Sequence, residues 1–343
     1  MQVNIDVLQQ LVNGGYLTAR PHPTAKLVIW NYTPKTQFER YWTQETLMCR
    51  GLITSTDGTG VARAFEKFFN YEEYTGQLPL EPFTATEKLD GSLGILFSVD
   101  GKPQIATRGS FTSEQAVRAN VMLQTRYSDF QFLPVYTYLF EIIYPQNRII
   151  VDYGRQEDLV LLAVIETETG EERDIWHDVW PFPVVKRFDG ISDIDALRAL
   201  ERDNAEGFVI RFESGLHLKL KFAEYVRLHH IITHVNARVI WELLRDNQPL
   251  EPLLERVPDE FFVWVRRTRD DLLRQFAIIE AQCREAMGRV EQLPTRKEQA
   301  MIVTKEKYPG IVFAMLDNKN YRDMIWRLLY PEASRPFVVD EEN

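Results

Sequence analysis

A lysine in an unusual setting is the first candidate for chemistry in this chain. Lys88 lies in the segment Glu87-Lys88-Leu89-Asp90-Gly91-Ser92, between an acidic residue and a turn-forming Asp-Gly pair. The apolar run Leu93–Val99 follows, which predicts a strand and places Lys88 at a sheet edge or in a tight loop. A lysine that is buried or crowded by cations becomes a nitrogen nucleophile, whereas a lysine in water is a solvated charge. The pattern K-x-D-G alone is weak evidence.

Three later segments carry the other groups that attack on a nucleotide phosphate requires. Glu141 interrupts an otherwise apolar and aromatic run, and Glu206 opens another apolar run. Lys219 and Lys221 flank one leucine, so a strand would place both lysines on the same face. Phosphoryl transfer needs carboxylates that hold a divalent metal, cations that neutralise oxygen charge, and a nucleophile in line with the leaving group. The chain contains this set of groups.

The elements that must position these residues change in character once along the chain. Up to about residue 221 we predict short strands, and from about residue 225 we predict helices. Asp100-Gly101 predicts a hairpin turn. The predicted strands are Leu93–Val99, Gln104–Thr107, Val135–Tyr144, Leu159–Glu166, Gly207–Phe212 and His217–Phe222. The predicted helices are a long one through Val265, Leu272, Phe276, Ile279, Cys283, Met287 and Val290, ending by Pro294, and a second over Tyr321–Tyr330.

Composition and length set the limits of the interpretation. A chain of 343 residues favours two domains, which we place at residues 1–235 (α+β) and 236–343 (helical). No run of 18 apolar residues and no signal peptide are evident, so we expect no membrane association. Cys49 and Cys283 have neither metal-ligand nor disulfide spacing, which suits a reducing cytoplasm. The net charge of −10 means that a polynucleotide would be held by a few placed residues.

Six segments together resemble the RNA ligase 1 family, the ATP-dependent RNA ligases of the T-even bacteriophage type within the covalent nucleotidyltransferase superfamily. The resemblance covers roughly residues 30–230, and the segments fall in the family's order. Helices follow the last lysine motif, as in this family, whereas DNA ligases and capping enzymes continue with a β-rich domain. Besides the segment around Lys88, the matching stretches include Cys49-Arg50-Gly51-Leu52, Phe65-Glu66-Lys67-Phe68-Phe69-Asn70, Thr107-Arg108-Gly109-Ser110 and Lys219-Leu220-Lys221-Phe222-Ala223-Glu224-Tyr225.

The resemblance implies a fold and an activity. The fold would be a nucleotidyltransferase domain of ATP-grasp-like antiparallel sheets with helices, followed by an all-helical C-terminal domain that could select the RNA. The cofactors would be ATP and Mg²⁺ or Mn²⁺. Lys88 would take AMP from ATP, the AMP would pass to an RNA 5′-phosphate, and a 3′-hydroxyl would then displace it. Repair of cleaved tRNA is a hypothesis, in the cytoplasm, or in the host cytoplasm if the chain is phage-encoded.

The resemblance also implies site residues, position by position. Lys88 would be the nucleophile, with Lys219 and Lys221 at phosphates. Glu206 would hold the metal, and Glu141 would lie by the ribose or a metal-bound water. The nucleotide would contact a wider set, which consists of Tyr32, Arg50, Lys67, Phe69, Glu87, Arg108, Glu141, Lys219, Lys221 and Tyr225. Where the family motif has a lysine, this chain has Arg108, whose charge is the same but whose hydrogen-bond geometry differs.

Several alternatives stay open on the sequence alone. A DNA ligase or guanylyltransferase of the same superfamily would use the same lysine chemistry. A catalytically dead relative would keep the fold and bind RNA without reacting. Each residue also has a structural alternative, since Glu141 could be a buried acid paired to an arginine and Lys219 and Lys221 could form the wet face of an edge strand. The sequence gives no indication of the oligomeric state.

Overall fold

The chain forms two compact units. The computed structural model describes residues 1–191, 193–250 and 259–332. The first unit is Met1–Val226, and the second begins at Arg227. The domain boundary predicted between residues 235 and 236 falls further along the chain, inside the second unit, and stays a prediction.

The first unit is built from three sheets. The strands are β1 (Leu17–Pro21), β2 (Leu27–Tyr32), β3 (Arg50–Ser55), β4 (Gly60–Ala62), β5 (Phe69–Asn70), β6 (Phe83–Lys88), β7 (Ser92–Val99), β8 (Lys102–Thr107), β9 (Tyr136–Ile143), β10 (Asp158–Glu166), β11 (Arg187–Phe188), β12 (Gly207–Phe212) and β13 (His217–Lys221). The first sheet has the strand order β1-β2-β3-β4, the second β10-β9-β7-β8 and the third β11-β6-β12-β13-β5. Their paired strands are antiparallel except for β13 and β5.

Buried aliphatic side chains join these sheets. Ile29, Ile53, Ile95 and Leu139 belong to one buried cluster, so the first two sheets pack face to face. The second sheet buries its other face in a cluster with a helix and with the segment that leads to β11. Short helices fill the edges of the unit, and they are α1 (Ile5–Asn13), α2 (Pro34–Phe38), α3 (Gln44–Met48), α4 (Glu114–Arg126), α5 (Ile194–Arg198) and α6 (Ala223–His234), the last of which runs past the end of the unit.

The predicted fold class is confirmed. Each predicted strand is present within a few residues, and β7 and β8 form the predicted hairpin. Asp100 and Gly101 have φ values of 50° and 77°, as a two-residue turn with two left-handed positions requires. Antiparallel sheets with helices at their edges define an α+β domain.

The second unit is helical over its described residues. Its helices are the end of α6, then α7 (Ala237–Arg245), α8 (Asp259–Val290), α9 (Arg296–Val303), α10 (Pro309–Leu316) and α11 (Arg322–Leu328). The apolar side chains predicted to form one helix face, from Val265 to Val290, lie on α8 and include Phe276 and Cys283 among the buried residues. Phe276 packs on Trp326 of α11, and the Trp241 indole donates a hydrogen bond to the Trp326 carbonyl. None of the helices in the described ranges is both long and apolar enough to span a membrane.

Candidate active site

Strand register brings the predicted lysines and one predicted carboxylate together. In the third sheet Gly207, the first residue of β12, is paired with Lys88 on one side and with Lys221 on the other. Glu206 directly precedes this position. Its Oε1 therefore reaches both amines, at 2.5 Å from Lys88 Nζ and 3.2 Å from Lys221 Nζ. Three residues far apart in the chain form one buried charge cluster.

Gly207 is required for this arrangement. Its φ of 143° lies in the region that favours glycine, and a Cβ added there would lie 2.0 Å from the carbonyl oxygen of Leu220. The neighbouring backbone of β13 would have to move to admit any side chain. The glycine after Glu206 therefore lets β12 and β13 approach closely, which holds Glu206 against the two lysines.

The charge of Glu206 depends on these lysines. The side chain is 2 % exposed. Burial opposes its ionisation, but the charges of Lys88 and Lys221 outweigh burial and lower the pKa of Glu206. An ionised Glu206 holds the two ammonium groups in place, and removal of one partner would leave a buried charge without compensation.

A second carboxylate approaches Lys88 from the second sheet. Glu141 lies on β9, and its Oε1 accepts a hydrogen bond of 2.8 Å from the Gly91 amide. A Cβ on Gly91 would lie 2.7 Å from the Ile142 carbonyl oxygen and 3.1 Å from Glu141 Cγ, so only glycine allows this contact. Burial raises the pKa of Glu141 to about 8, although the charge of Lys88 partly opposes the shift. Glu141 is thus a half-buried carboxyl group that would ionise more readily beside another cation.

Asp90 fixes the backbone of the lysine segment. Its Oδ2 accepts hydrogen bonds from the amides of Ile150 and Val151, at 2.7 and 2.8 Å, and its Oδ1 accepts one of 2.8 Å from the Tyr225 hydroxyl. The Asp90 amide in turn donates to the Tyr153 hydroxyl. Burial, and next the charge of Glu206, raises the pKa of Asp90 to about 6. These bonds hold the two residues that follow Lys88 on a buried support.

A cavity is lined by Lys88 and by most of the other predicted site residues. We call it the lysine cavity. Part of its wall is apolar and aromatic, which suits a flat heterocycle. Its lining comprises Tyr32, Arg50, Phe65, Lys67, Phe68, Thr86, Glu87, Lys88, Leu89, Gly91, Leu93, Arg108, Glu141, Leu162, Val185, Val209 and Lys219.

Cations without carboxylate partners line this cavity. Among the described residues, no ion pair is made by Arg50, Lys67 or Lys219, and Arg50 Nη1 is buried without a hydrogen-bond partner. Burial lowers the pKa of Arg50 and of Lys67. The pKa of Lys219 lies well below its usual range because of burial, followed by the charges of Arg50 and Lys88. Cations that are largely removed from water are normally paired, so a bound anion would be stabilised here.

Two further residues of the lining, Arg108 and Glu87, contact the side chains of neighbouring residues. Arg108 Nη1 donates a 2.9 Å hydrogen bond to the Tyr32 hydroxyl, and its guanidinium lies 5.1 Å from the centre of that ring. Glu87 forms an ion pair with Arg202. Tyr32, which the resemblance implies at the nucleotide, therefore contacts Arg108 and lies in the lining of the lysine cavity.

The other predicted residues surround the lysine cavity without lining it. Glu206 and Lys221 lie beside Lys88 in the charge cluster described above. Tyr225 is buried, and its hydroxyl donates a hydrogen bond to Asp90 Oδ1. Phe69 lines a neighbouring cavity with Trp42 and Lys67. The structure therefore places all the predicted residues in one region of the first unit, and their individual roles stay predictions.

Sequence reasoning missed the supporting residues. In the sequence Asp90 indicates only a turn, and its position within the lysine motif is the one signal that its carboxylate is buried. Tyr153 and the amides of Ile150 and Val151 gave no signal, because they follow β9 in an irregular segment that only the tertiary fold brings to Asp90.

The fold and the site together define an α+β protein whose lysine cavity is lined by several cations. A family model described as RNA ligase matches residues 48–226, slightly more than half of the 343-residue chain. The chain belongs to this RNA ligase family. The match includes every predicted site residue except Tyr32.

Two curated relatives agree with this assignment. A protein of Autographa californica nuclear polyhedrosis virus, provisionally named a bifunctional polynucleotide kinase/RNA ligase, is 28% identical over 236 residues, which are 59% of this chain and 33% of the relative. A provisionally named RNA ligase of Thermovibrio ammonificans is 28% identical over 212 residues, 54% of each chain. The chain thus spans a third and about half of the lengths of these two relatives.

Similar solved structures are also ligases. An archaeal ATP-dependent RNA ligase has a TM-score of 0.46 at 16% identity and covers 71% of this chain and 65% of its own. Naegleria gruberi RNA ligase with PPi has a TM-score of 0.36 at 18% identity, with 44% of this chain and 52% of its own covered. Both TM-scores are low, so family membership rests on the sequence match.

Proposed function

We propose that this chain is an ATP-dependent RNA ligase that works through a lysyl-AMP intermediate. Family membership gives the reaction class, and one observation carries the assignment to this chain. Lys88 lines the same cavity as Arg50, Lys67 and Lys219, three cations that have no carboxylate partner among the described residues. A triphosphate would supply the missing negative charge directly in front of the lysine.

The first step follows from this arrangement. The Lys88 nitrogen attacks the α-phosphorus of ATP, the bond to the β-phosphate breaks, and pyrophosphate leaves with its electron pair while the amine gives up a proton. Attack needs the lone pair of Nζ, so the ion pair with Glu206 has to open first. Arg50, Lys67 and Lys219 neutralise the phosphate oxygens. The apolar wall near Leu162 and Val209 would accept the adenine ring.

The remaining steps use the same cavity. The AMP passes from Lys88 to the 5′-phosphate of an RNA end, and this step forms a new pyrophosphate linkage. A 3′-hydroxyl then attacks the RNA phosphate and releases AMP, which seals the strand. Lys219 and Lys221, which lie on one face of β13, would stabilise the oxygen charges in both transfers.

Glu141 and Glu206 are the residues that would hold Mg²⁺ or Mn²⁺. Within the described residues, no group of three or more acidic, histidine or cysteine side chains is placed to hold a metal ion. Magnesium is usually bound by one or two carboxylates together with phosphates. Glu141 fits this pattern because it lines the lysine cavity beside Lys88, and although burial raises its pKa to about 8, a bound cation would favour its ionised form. A bound ion would neutralise phosphate charge.

The substrate and the helical region are the finer part of the proposal. We assign residues 1–235 to adenylyl transfer and residues 236–343 to recognition of the RNA. Broken tRNA, with a 5′-phosphate and a 3′-hydroxyl, is the proposed substrate, and the cytoplasm is the proposed site of action. One viral relative is consistent with a viral or phage source.

Label transfer tests the activity. Protein incubated with α-³²P-ATP and Mg²⁺ should acquire a covalent label, and Lys88→Ala should acquire none while it remains folded. The wild type should also convert 5′-³²P-RNA into a phosphatase-resistant product. Labelling from GTP instead of ATP would identify a guanylyltransferase, sealing of DNA but not RNA would identify a DNA ligase, and no label at all would indicate a catalytically dead RNA-binding relative.

A further inference from the structure

A second cavity adjoins the lysine cavity in the first unit. It has a volume of about 380 Å³, within the range of roughly 300–1,000 Å³ that is usual for small-ligand sites. Lys67 lines both cavities, so the two share one wall. We call this second space the aromatic cavity, and it is lined by Gln37, Arg40, Trp42, Lys67, Phe69, Glu73, Tyr74 and Thr75.

The shared wall carries a positive charge that no described carboxylate binds directly. Lys67 Nζ has a hydrogen bond of 3.5 Å to Gln37 Oε1, and it lies 5.5 Å from the ring centres of both Trp42 and Phe69. Burial lowers its pKa, and although the neighbouring Tyr32 acts in the opposite direction, Arg50 and Arg108 lower it further. Arg40 adds a second cation and Glu73 one acid. An anion at Lys67 would therefore be stabilised.

The rest of the aromatic cavity is suited to a flat ring. Trp42 and Phe69 meet edge to face at a centroid distance of 5.6 Å, and Tyr74 lines the same space. Proteins hold single-stranded nucleic acids by stacking bases on aromatic side chains beside cations that bind the backbone. Three aromatic rings with Lys67 and Arg40 match this combination.

We propose that the aromatic cavity holds the 5′-terminal nucleoside of the RNA strand that receives AMP, with the 5′-phosphate at Lys67. This inference rests on the proposed function. The 5′-phosphate must reach the AMP on Lys88, and Lys67 is the cation that both cavities share. A strand that enters through the aromatic cavity therefore places its terminal phosphate beside the lysine cavity and its terminal base among Trp42, Phe69 and Tyr74.

Separating the steps of the reaction tests the assignment. Tyr74 lines only the aromatic cavity, so Tyr74→Ala should label with ATP within about twofold of the wild type. Transfer of AMP from the labelled enzyme to a 5′-phosphorylated oligoribonucleotide should show a KM for RNA raised roughly 5- to 100-fold, as expected for the loss of one stacked base. Arg40→Ala, an exposed residue, should raise the same KM, by roughly 3- to 10-fold.

Phe38→Ala is the matched control. Phe38 is an aromatic residue of α2 that is 92% exposed and does not line the aromatic cavity. Its replacement should leave both steps unchanged. If Tyr74→Ala and Arg40→Ala both leave the KM for RNA unchanged, the proposal is wrong. It is equally wrong if both raise the KM for ATP as much as the KM for RNA, because the aromatic cavity would then belong to the nucleotide cofactor.

Photocrosslinking gives a measurement that does not depend on catalysis. A 5′-phosphorylated oligoribonucleotide with 5-iodouracil as its first base should crosslink to Trp42, Phe69 or Tyr74 in Lys88→Ala protein, and the same base at the fourth position should not. Crosslinks confined to other residues would contradict the RNA subsite. A wild-type protein that never takes label from ATP would contradict the ligase proposal instead, so the two failures can be told apart.

Discussion

The fold strongly affects the ionisation of Glu141. This acid lines the lysine cavity, and burial raises its pKa to about 8. Between its ordinary pKa and about 8, the folded chain keeps a proton on Glu141 that the unfolded chain has lost. The unfolded state therefore binds fewer protons, and stability falls as the pH rises through this interval. Asp90, with a pKa of about 6, contributes in the same direction at lower pH.

This linkage gives a prediction for Glu141→Gln. The free energy of unfolding of the wild type should fall by about 2 kcal/mol between about pH 6 and pH 8 because of Glu141. The glutamine side chain keeps an oxygen that can accept the Gly91 hydrogen bond, and it has no proton to lose. The free energy of unfolding of Glu141→Gln should therefore lack this fall of about 2 kcal/mol over the same pH interval. Urea unfolding at several pH values measures the difference. Glu213→Gln, at an exposed acid, should follow the wild type, and a Glu141→Gln curve parallel to the wild type would contradict the assignment.

The Tyr225 hydroxyl is predicted to act through Asp90. Tyr225→Phe removes one of three hydrogen-bond donors to a buried carboxylate, which should cost about 1–3 kcal/mol of stability. The segment that carries Lys88 loses a support, so lysyl-AMP formation should also slow. Thermal unfolding and labelling with ATP measure both effects. Tyr330→Phe, at a tyrosine that is 53% exposed, should change neither, and a Tyr225→Phe enzyme with wild-type stability and labelling rate would exclude this role.

At the scale of elements, the close approach of β12 and β13 brings Glu206 into contact with Lys88 and Lys221. Gly207→Ala should destabilise the fold by about 1–3 kcal/mol or more, because the new methyl group would meet the Leu220 carbonyl oxygen at an unfavourable φ. Glu206 would shift away from Lys88 and Lys221, so labelling with ATP should fall more than tenfold.

Gly215→Ala separates backbone strain from crowding. Gly215 also has a positive φ, of 87°, but a Cβ there would meet nothing within 4 Å. Its replacement should cost only the conformational strain and should leave labelling with ATP close to the wild-type rate. Equal losses of activity in Gly207→Ala and Gly215→Ala would mean that the approach of the two strands does not position Glu206.

The elements also show how far the sequence could predict this site. Short strand-like runs separated by Gly, Pro, Asp and Asn predict β7, β8, β9, β10, β12 and β13 within a few residues, because those signals are local. Register is not local. Nothing in the sequence alone states that Gly207 pairs with both Lys88 and Lys221. The contact of Tyr225 with Asp90 likewise depends on how α6 begins after β13. The resemblance implies that Tyr225 lies near the nucleotide, and it gives no indication of this buried partner.

At the scale of the whole molecule, two compact units suggest a division of labour. Every side chain that lines the lysine cavity, and also Glu206, Lys221 and Tyr225, belongs to the first unit. A chain that ends after residue 235 should therefore fold and keep Lys88 labelling with ATP within a few-fold of the full chain. Label transfer and thermal unfolding of the shortened chain test this independence.

The helical region is predicted to affect the choice of RNA, not the chemistry. If residues 236–343 recognise tRNA, the full chain should seal a nicked tRNA with a higher kcat/KM than a generic 5′-phosphorylated single strand, and the shortened chain should lose roughly tenfold of that preference, about 1.4 kcal/mol of recognition. Both chains should seal the generic strand similarly, because that reaction uses only the lysine cavity and its surroundings. A shortened chain that keeps the full preference for tRNA would place recognition in the first unit.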